Sequence, residues 1–485
     1  MSKNNLKKFF NFTTIRPIEI LFFLFVIVVS VGLLATPYYL FAIIPGLAIL
    51  FLLFLGHNPQ FGYYLIVFLI PFDAYRGLSG PYQFLTISKF VGFWIAIVIL
   101  FYFLLNKMDS VNIKSNMWSL FLIFFVIRFL SALMSEYFFT SLDNLRQLFI
   151  AYIFFFITLI FISRNGFCKT LPTILISSIS VTSFLSIIGY MFNISLFTMG
   201  TWDVSTETLK RATGTTSDPN LFSAMIIFNL PLLAHWFFSS RRFFGKFIAI
   251  GLFVINLIAI MLTYSRGGAI VLAVVLLLIL IEHIRKFKVK HLGFVTALLL
   301  IAIIMIIFFV PSSYWERQKS ITETKTDTAM GRRISYLYFG WEAFKEHPII
   351  GSGPGTFSKI YATSIYARHF AIGEEDYYRD AHNSYLEVVV ETGAISFVIF
   401  LIIIWFSLKN FNNAKILFLS HGEKEMAALV GAYRTSFLSM LIYFFMLSTT
   451  YNKYFWFSLA LSQIALRLAQ KIPGGEYNEN ATYSK

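Results

Sequence analysis

The sequence predicts an all-α fold, a polytopic transmembrane helical bundle of 12–14 spans with a long extracytoplasmic loop that contains amphipathic helices. Charged residues make up 13% of the 485 positions and hydrophobic residues 58%. A soluble domain carries about 25% charged residues, so much of this surface must face lipid. Apolar runs of about 20 residues recur along the chain, and basic residues gather between alternate runs.

Fourteen stretches are long and apolar enough, or nearly so, to cross the hydrocarbon core of a bilayer. They are residues 18–36, 38–56, 60–73, 86–105, 117–135, 145–163, 170–192, 219–238, 245–264, 268–283, 291–310, 384–408, 427–448 and 453–470. The third and the tenth are short, and each is equally well interpreted as a re-entrant or merged segment. The first has no small-residue cleavage site, so we expect a retained helix.

Charge sets the predicted orientation. With the basic N-terminus in the cytoplasm, the inward loops carry 13 basic residues and only three acidic ones, Asp109, Glu423 and Glu425. The basic residues are Lys107, Lys114, Arg164, Lys169, Arg241, Arg242, Arg285, Lys286, Lys288, Lys290, Lys409, Lys415 and Lys424. Both termini are then cytoplasmic. This distribution accounts for the net charge of +15 without a nucleic-acid partner.

Two polar segments fall on the outward side, within one transmembrane domain of residues 1–485. The shorter is 193–218, and the longer is 311–383, with nine basic and nine acidic side chains in 73 residues. A loop of that length is usually functional. The single cysteine, Cys168, excludes an internal disulfide and a cysteine cluster that binds metal.

The long loop contains a predicted amphipathic helix. Ile334, Leu337, Trp341 and Phe344 recur at spacings of three and four, and Pro348 ends the pattern. A tight glycine-rich turn, residues 351–355, follows. We expect the helix to lie on the outer membrane surface with its tryptophan toward lipid, and the turn to form a lid-like loop.

Two cationic clusters lie at predicted helix ends. Arg266, in the sequence Tyr-Ser-Arg-Gly-Gly, opens a helix, so its guanidinium and the first helical amides can face one anion. The alternative is an arginine that extends to the membrane interface. Arg211 lies outside the membrane, where positive charge is scarce. Asp218, before Pro219, is best interpreted as a helix cap.

Two further clusters bracket the amphipathic helix and the end of the loop. Arg332 and Arg333 open the helix, either as a solvated charge run or as a contact to lipid phosphates. Asn383 is a predicted N-cap, and His382 precedes it. The positive end of that helix favours a neutral imidazole, which is a usable general base. The alternative for His382 is a structural hydrogen bond to the loop backbone.

Charged residues inside predicted spans are costly and often functional. Arg128 falls in the middle of one span, and Glu387 and Glu391 lie one and two turns below Asn383. We expect Glu391 to form an ion pair with Arg434 that joins two helices. A proton relay is the alternative.

Together these clusters resemble the O-antigen ligase and polymerase superfamily of bacterial surface-polysaccharide assembly. The resemblance covers residues 200–400 and rests on the order and spacing of several short motifs. These are Arg-Ala-Thr-Gly-Thr with Asp-Pro-Asn at 211–220, Tyr-Ser-Arg-Gly-Gly at 264–268, Gly-Arg-Arg at 331–333, Trp341, His347-Pro348, the turn 351–355, Ala381-His382-Asn383 and Gly393.

The resemblance implies an inner-membrane glycosyltransferase of the GT-C type with its active site facing the periplasm. Such enzymes pass a saccharide from undecaprenyl pyrophosphate to a hydroxyl of a glycan or lipid-linked glycan acceptor, with inversion, no metal and no cofactor. It implies His382 and Arg266 as catalytic residues. It implies Arg211, Arg266 and Arg332 or Arg333 as pyrophosphate-binding residues. Membrane lipid, a chain-length regulator and a flippase are the implied partners.

Several alternatives stay open from the sequence. Gly393 keeps the spacing of a ligase motif but Ser396 departs from it, so both polymerase and ligase remain. A flippase for lipid-linked oligosaccharide would place its charges along a central pathway rather than at one face. A non-catalytic cell-envelope scaffold would need none of these clusters for chemistry.

Overall fold

A computed structural model confirms the all-α membrane fold. It describes residues 28, 29, 31, 44–73, 86–104, 115–194, 198–202, 208–216, 218–283, 314, 328–370 and 377–472. Among these residues, eight helices are long and apolar enough to cross a membrane, or nine if one bent pair is a single span. The predicted spans 18–36 and 291–310 lie almost wholly outside the described residues.

In the described part of the chain, nine helices lie before the long loop, and two short strands interrupt their succession. They are α1 (Ile44–His57), α2 (Pro59–Leu69), α3 (Ile87–Leu104), α4 (Trp118–Leu133), α5 (Phe138–Phe161), α6 (Leu171–Met191), β1 (Thr198–Trp202), β2 (Thr208–Ala212), α7 (Pro219–Ser239), α8 (Phe243–Leu262) and α9 (Arg266–His283). The strands pair antiparallel, with Met199 opposite Arg211. Ile44–His57 and Pro59–Phe72 form the bent pair, at 111°.

Among the residues that the structure describes, three helices belong to the long loop and three follow it. They are α10 (Thr328–Glu346), α11 (Phe357–Ala362), α12 (Ile365–Phe370), α13 (Ser384–Ser420), α14 (Lys424–Tyr443) and α15 (Lys453–Gln470). The predicted end of the amphipathic helix before Pro348 is confirmed. The strand pair in segment 193–218 was not predicted.

The chain forms two compact units. The first contains the described residues of 1–67 and 87–112, and the second those of 68–86 and 113–485. In the first unit, α1 packs on α3, and the Trp94 indole donates a hydrogen bond to the Leu52 carbonyl at 3.0 Å. All the candidate site residues belong to the second unit. The division into a single transmembrane domain and two outer loops stays a prediction.

The centre of the second unit is built from α7 and α14. Within an apolar stretch of 18 residues in each helix, buried residues make up 72% in α7 and 78% in α14, against 33% in α8 and α9. Small side chains such as Ser223 and Ala432 allow this close approach. The outer helices expose their leucine and phenylalanine side chains, as a lipid-facing surface requires.

Helix α13 is much longer than its predicted span of 384–408. Its 37 residues would extend about 55 Å at about 1.5 Å per residue. Gly393, the tenth residue, breaks the helical backbone with φ 73° and ψ 178°. The break separates a short initial segment, which contacts the long loop, from a longer one that packs on α4, α14 and α15.

Helix α10 has two apolar faces. One contains Tyr336 and Ala343 and packs on α11 and on Ala381 in the loop's own small core. The other is the predicted stripe, where Leu337 and Trp341 are 53% and 60% exposed. A surface helix that exposes a tryptophan is typical of contact with the membrane interface.

The predicted ion pair between Glu391 and Arg434 is wrong. Arg434 lies at the other end of the bundle and donates a hydrogen bond to Glu282 at 3.2 Å. Lys415 forms a second ion pair with the same carboxylate. Glu391 instead accepts the backbone N–H of Phe357 at 3.2 Å. Arg434 also donates a hydrogen bond to Asn412, far along α13 from Glu391. The sequence pattern did not reveal this, because the predicted span ended at residue 408 and the helix continues to Ser420.

The ion pairs of Glu282 with Lys415 and Arg434 lead to a prediction about stability. Glu282→Gln removes the negative charge that two cations share, so we expect the free energy of unfolding to fall by about 2 kcal/mol. Glu425→Gln is the matched control, because its pair with Arg241 is almost fully exposed. That change should cost less than about 0.5 kcal/mol. Thermal melting in detergent measures both, and equal effects would contradict the prediction.

Candidate active site

Three helices begin close together in the second unit, each with a side-chain cap. The carboxylate of Asp218 accepts the Asn220 N–H at the start of α7, at 2.7 Å. The Ser265 hydroxyl accepts the Gly268 N–H in the first turn of α9 at 3.0 Å. The predicted cap of α13 by Asn383 is confirmed, since its side-chain oxygen accepts two backbone amides.

Residues 443–449, which are the last residue of α14 and the segment after it, connect two of these helix starts. The Tyr443 hydroxyl lies 3.2 Å from the Ser265 hydroxyl, one residue before Arg266. The Ser384 N–H donates to the Phe444 carbonyl at 2.8 Å, two residues after His382. The starts of α9 and α13 are therefore both bonded to one short segment of chain, the first through a side chain and the second through backbone.

The network extends to Arg211 and the start of α7. The Arg211 Nε donates to the Thr263 carbonyl at 2.7 Å, and its terminal nitrogen donates to Asn220 at 3.2 Å. Asn220 also accepts the Ser265 hydroxyl at 2.8 Å. Arg211 is 7% exposed. These contacts show a buried arginine that joins β2 to the starts of α7 and α9.

His382 occupies a strained backbone position. Its φ is 48°, in the left-handed region that costs a residue with a Cβ about 1–2 kcal/mol. Tyr264, at φ 51°, has the same conformation directly before Ser265. Among the described residues, only one other non-glycine residue, Asn193, has a positive φ. Strain of this kind often marks functional sites.

The surroundings of His382 favour a neutral imidazole. Burial lowers the pKa of His382, and the positive charges of Arg333 and Arg379 lower it further. The carboxylates of Asp218 and Asp380 oppose this effect. The direction agrees with the sequence prediction, but its first cause is burial rather than the helix start. At neutral pH the ring is free to accept a proton.

An aromatic cluster forms one wall beside the imidazole. The Tyr336 ring centroid lies 6.3 Å from that of His382, and burial raises the pKa of Tyr336 to about 12. The Tyr361 ring packs on Tyr336 at 4.9 Å, and its hydroxyl lies 2.9 Å from the Ser335 hydroxyl. Tyr336 therefore remains protonated beside the neutral histidine.

The structure separates the two loop arginines. The charge of Arg333 acts on both His382 and Tyr336, whereas that of Arg332 acts on Tyr336 and Tyr361. Arg333 is thus the one of the pair that shares its surroundings with His382. Arg266 is partly buried and is the first residue of α9.

The glycine-rich turn does not form a lid. Gly351 and Gly353 have φ of 79° and 117°, and their N–H groups are bonded inside the protein. The Gly353 N–H donates to the Glu391 carbonyl at 2.8 Å, and the Ala394 N–H donates to Pro348 at 2.9 Å. The turn is therefore packed into the break of α13.

The turn also contacts α5. A Cβ on Gly353 would overlap Ser135 and Ser141, and one on Gly355 would lie 2.5 Å from the Asn144 amide. Asn144 in turn accepts a hydrogen bond at 3.1 Å from Arg128, the buried arginine in the middle of a predicted span. The loop that carries Arg333 and ends at His382 is therefore anchored deep between α4, α5 and α13.

Sequence reasoning did not find every group around His382. Arg379 lies three residues before His382, and its charge acts on the imidazole. It lies in a run of charged residues with no helical pattern, so the sequence did not indicate that it lies near His382. Ser265 and Tyr443 were also missed, although Ser265 stands next to Arg266. Asp218 is a cap, as predicted, but its charge also acts on His382.

Residues 251–401 match the family model described as O-antigen ligase. The predicted resemblance is confirmed. The matched segment contains Arg266, Arg332, Arg333 and His382, and Arg211 lies outside it. No curated protein matches the chain.

The packing of the turn generates a second prediction. Gly351→Ala places a Cβ against the backbone of Glu391 and also strains the left-handed φ. We expect a loss of more than about 3 kcal/mol in the free energy of unfolding, because the backbone atoms of α13 cannot move aside as a flexible side chain can. Gly422→Ala has a similar φ of 75° with open space around it, so it should cost only about 1 kcal/mol. Melting curves that do not separate the variants would contradict this packing.

Proposed function

We propose that this protein is a membrane glycosyltransferase that moves a saccharide chain from undecaprenyl pyrophosphate to a hydroxyl of an acceptor glycan. The O-antigen ligase match supports the general activity. The donor, the inversion, the GT-C type and the independence from metal are our inference. The observation that carries it is a partly buried histidine with a lowered pKa, beside cationic side chains and three helix starts.

The reaction is a direct displacement at the anomeric carbon. His382 accepts the proton of the acceptor hydroxyl as that oxygen bonds to the anomeric carbon. The bond from this carbon to the pyrophosphate oxygen breaks, and the pyrophosphate leaves with the electron pair. One displacement inverts the configuration.

The leaving group needs positive charge, and the chain supplies it in two ways. The proposed pyrophosphate-binding residues are Arg211, Arg266 and Arg333. Arg332 is a weaker candidate for the same role. The starts of α7, α9 and α13 add the positive ends of three helices. Charge arranged in advance in this way stabilises a developing anion.

The location of the site follows from the charge pattern. We propose that both termini are cytoplasmic and that the site faces the periplasm, because the basic loops lie between the other ends of the helices. The membrane is then the bacterial inner membrane, where lipid-linked glycan is available on that side.

Polymerase and ligase activities differ only in the acceptor. A glycan blot of a deletion strain separates them. Long chains that stay on the lipid carrier, with none attached to lipid A, would show a ligase. Single repeat units in place of long chains would show a polymerase. A normal blot would contradict both activities.

The role of His382 predicts a pH dependence. Because its pKa is lowered, the base stays neutral at about pH 6.5, and the transfer rate should fall only at lower pH. Asp218→Asn removes a negative charge that raises this pKa and keeps a good helix cap. We expect its acid limb to move to still lower pH. A limb that does not move, or moves upward, in single-turnover assays would contradict the assignment.

The proposed roles also predict losses of activity. His382→Ala should lower the transfer rate by ~10²–10⁴-fold, because the general base is removed. Arg266→Ala should lower it by at least ~10²-fold through loss of leaving-group stabilisation. His369→Ala, an exposed histidine of the same loop, is the control and should keep the wild-type rate.

The assay uses purified protein, lipid-linked glycan and EDTA, with release of undecaprenyl pyrophosphate as the measured product. Normal transfer by both site variants would overturn the catalytic roles of His382 and Arg266. No transfer by the wild-type protein would overturn the enzyme assignment and favour a scaffold. Loss of all transfer in EDTA, restored by a divalent cation, would overturn the metal-independent mechanism. Movement of intact donor across vesicles without cleavage would identify a flippase.

A further inference from the structure

The initial segment of α13 carries two carboxylates that the proposed reaction does not use. Glu391 accepts the N–H of Phe357 and so holds the start of α11. Glu387 reaches back past the start of its own helix, and its Oε1 accepts the Ala381 N–H at 3.1 Å. Ala381 is the residue directly before His382. The two carboxylates therefore hold two different parts of the long loop.

The backbone of His382 is fixed on both sides. After it, Asn383 accepts the Tyr385 and Leu386 N–H groups, each at 3.1 Å. Before it, the contact to Glu387 holds the Ala381 amide. Between these anchors, His382 keeps a φ of 48°, a conformation that a free chain would rarely adopt.

We propose that Glu387 is a positioning residue for His382. By accepting the Ala381 N–H, its side chain holds the left-handed backbone that places the imidazole against Tyr336 and near the charge of Arg333. The inference rests on the proposed function, in which His382 is the general base. It adds that the length of the Glu387 side chain, and not its charge, is what the reaction needs.

Substitutions at this position separate length from charge. Glu387→Gln keeps an oxygen at the same distance and removes the charge, so its transfer rate should stay within about threefold of wild type. Glu387→Asp keeps the charge but is one methylene too short to reach Ala381. Its kcat should fall by ~10²-fold, the effect expected when a catalytic group moves by about 1 Å. The KM for the lipid-linked donor should change by less than about twofold.

The matched control makes the same chemical change elsewhere on the loop. Glu342 accepts a hydrogen bond from the Tyr366 hydroxyl at 3.2 Å and lies on an exposed face of α10. Glu342→Asp should leave both kcat and KM at wild-type values. Equal losses in Glu342→Asp and Glu387→Asp would show a general weakening of the loop and would overturn the positioning role.

A second measurement is independent of glycan transfer. The rate at which diethyl pyrocarbonate modifies His382, followed by mass spectrometry, should rise in Glu387→Asp and stay unchanged in Glu387→Gln.

A reversed pattern of transfer rates, with the Gln variant inactive and the Asp variant active, would overturn the positioning role and assign a charge or proton-transfer role. Wild-type rates in both variants would overturn the inference while the proposed function stands. A wild-type protein that transfers no glycan would overturn the function, and the modification rates would still decide on Glu387. A lower melting temperature in the Asp variant alone, with unchanged modification, would show a purely structural contact.

Discussion

The first turn of a helix leaves backbone N–H groups without helical partners, and inside a membrane protein those groups must be bonded. Here α7, α9 and α13 meet this requirement in one place, through Asp218, Ser265 and Asn383. The caps bond only some of the amides, and the positive ends of the three helices still add together. An anion is the natural ligand of such a place. The charges of the arginines near these helix starts add to the positive potential that the helix ends produce.

The geometry of the candidate site depends on the end of α14 and the segment that follows it. Residues 443–449 bond to the residue before Arg266 and to the start of α13. The positions of Arg266 and His382, the two catalytic candidates, therefore both depend on this segment. The long loop is anchored to α5 and α13 by its glycine-rich turn. The site is an interface between the loop and the helices, and neither part is complete alone.

Much of this arrangement was accessible from the sequence because it depends on local pattern. Apolar length predicted the helices, the position of Asn383 predicted a cap, and the stripe around Trp341 predicted α10. The errors concern contacts between distant residues. Glu391 and Arg434 were predicted to be partners on neighbouring helices, but α13 continues well beyond its predicted end, and Arg434 bonds Asn412 near the other end of that helix. Glu391 bonds the loop instead. The docking of the glycine-rich turn depends on space between α4, α5 and α13, which no sequence pattern encodes.

The backbone of His382 has an evolutionary consequence. Asparagine, aspartate and histidine are the residues with a side chain that enter the left-handed region most often. A change of His382 to asparagine would therefore preserve the turn, the cap and the neighbouring aromatic cluster, and would remove the imidazole that we propose as the general base. Under that proposal, an inactive member with an intact fold lies a single substitution away. Families built on such a turn can produce pseudoenzymes without first losing stability.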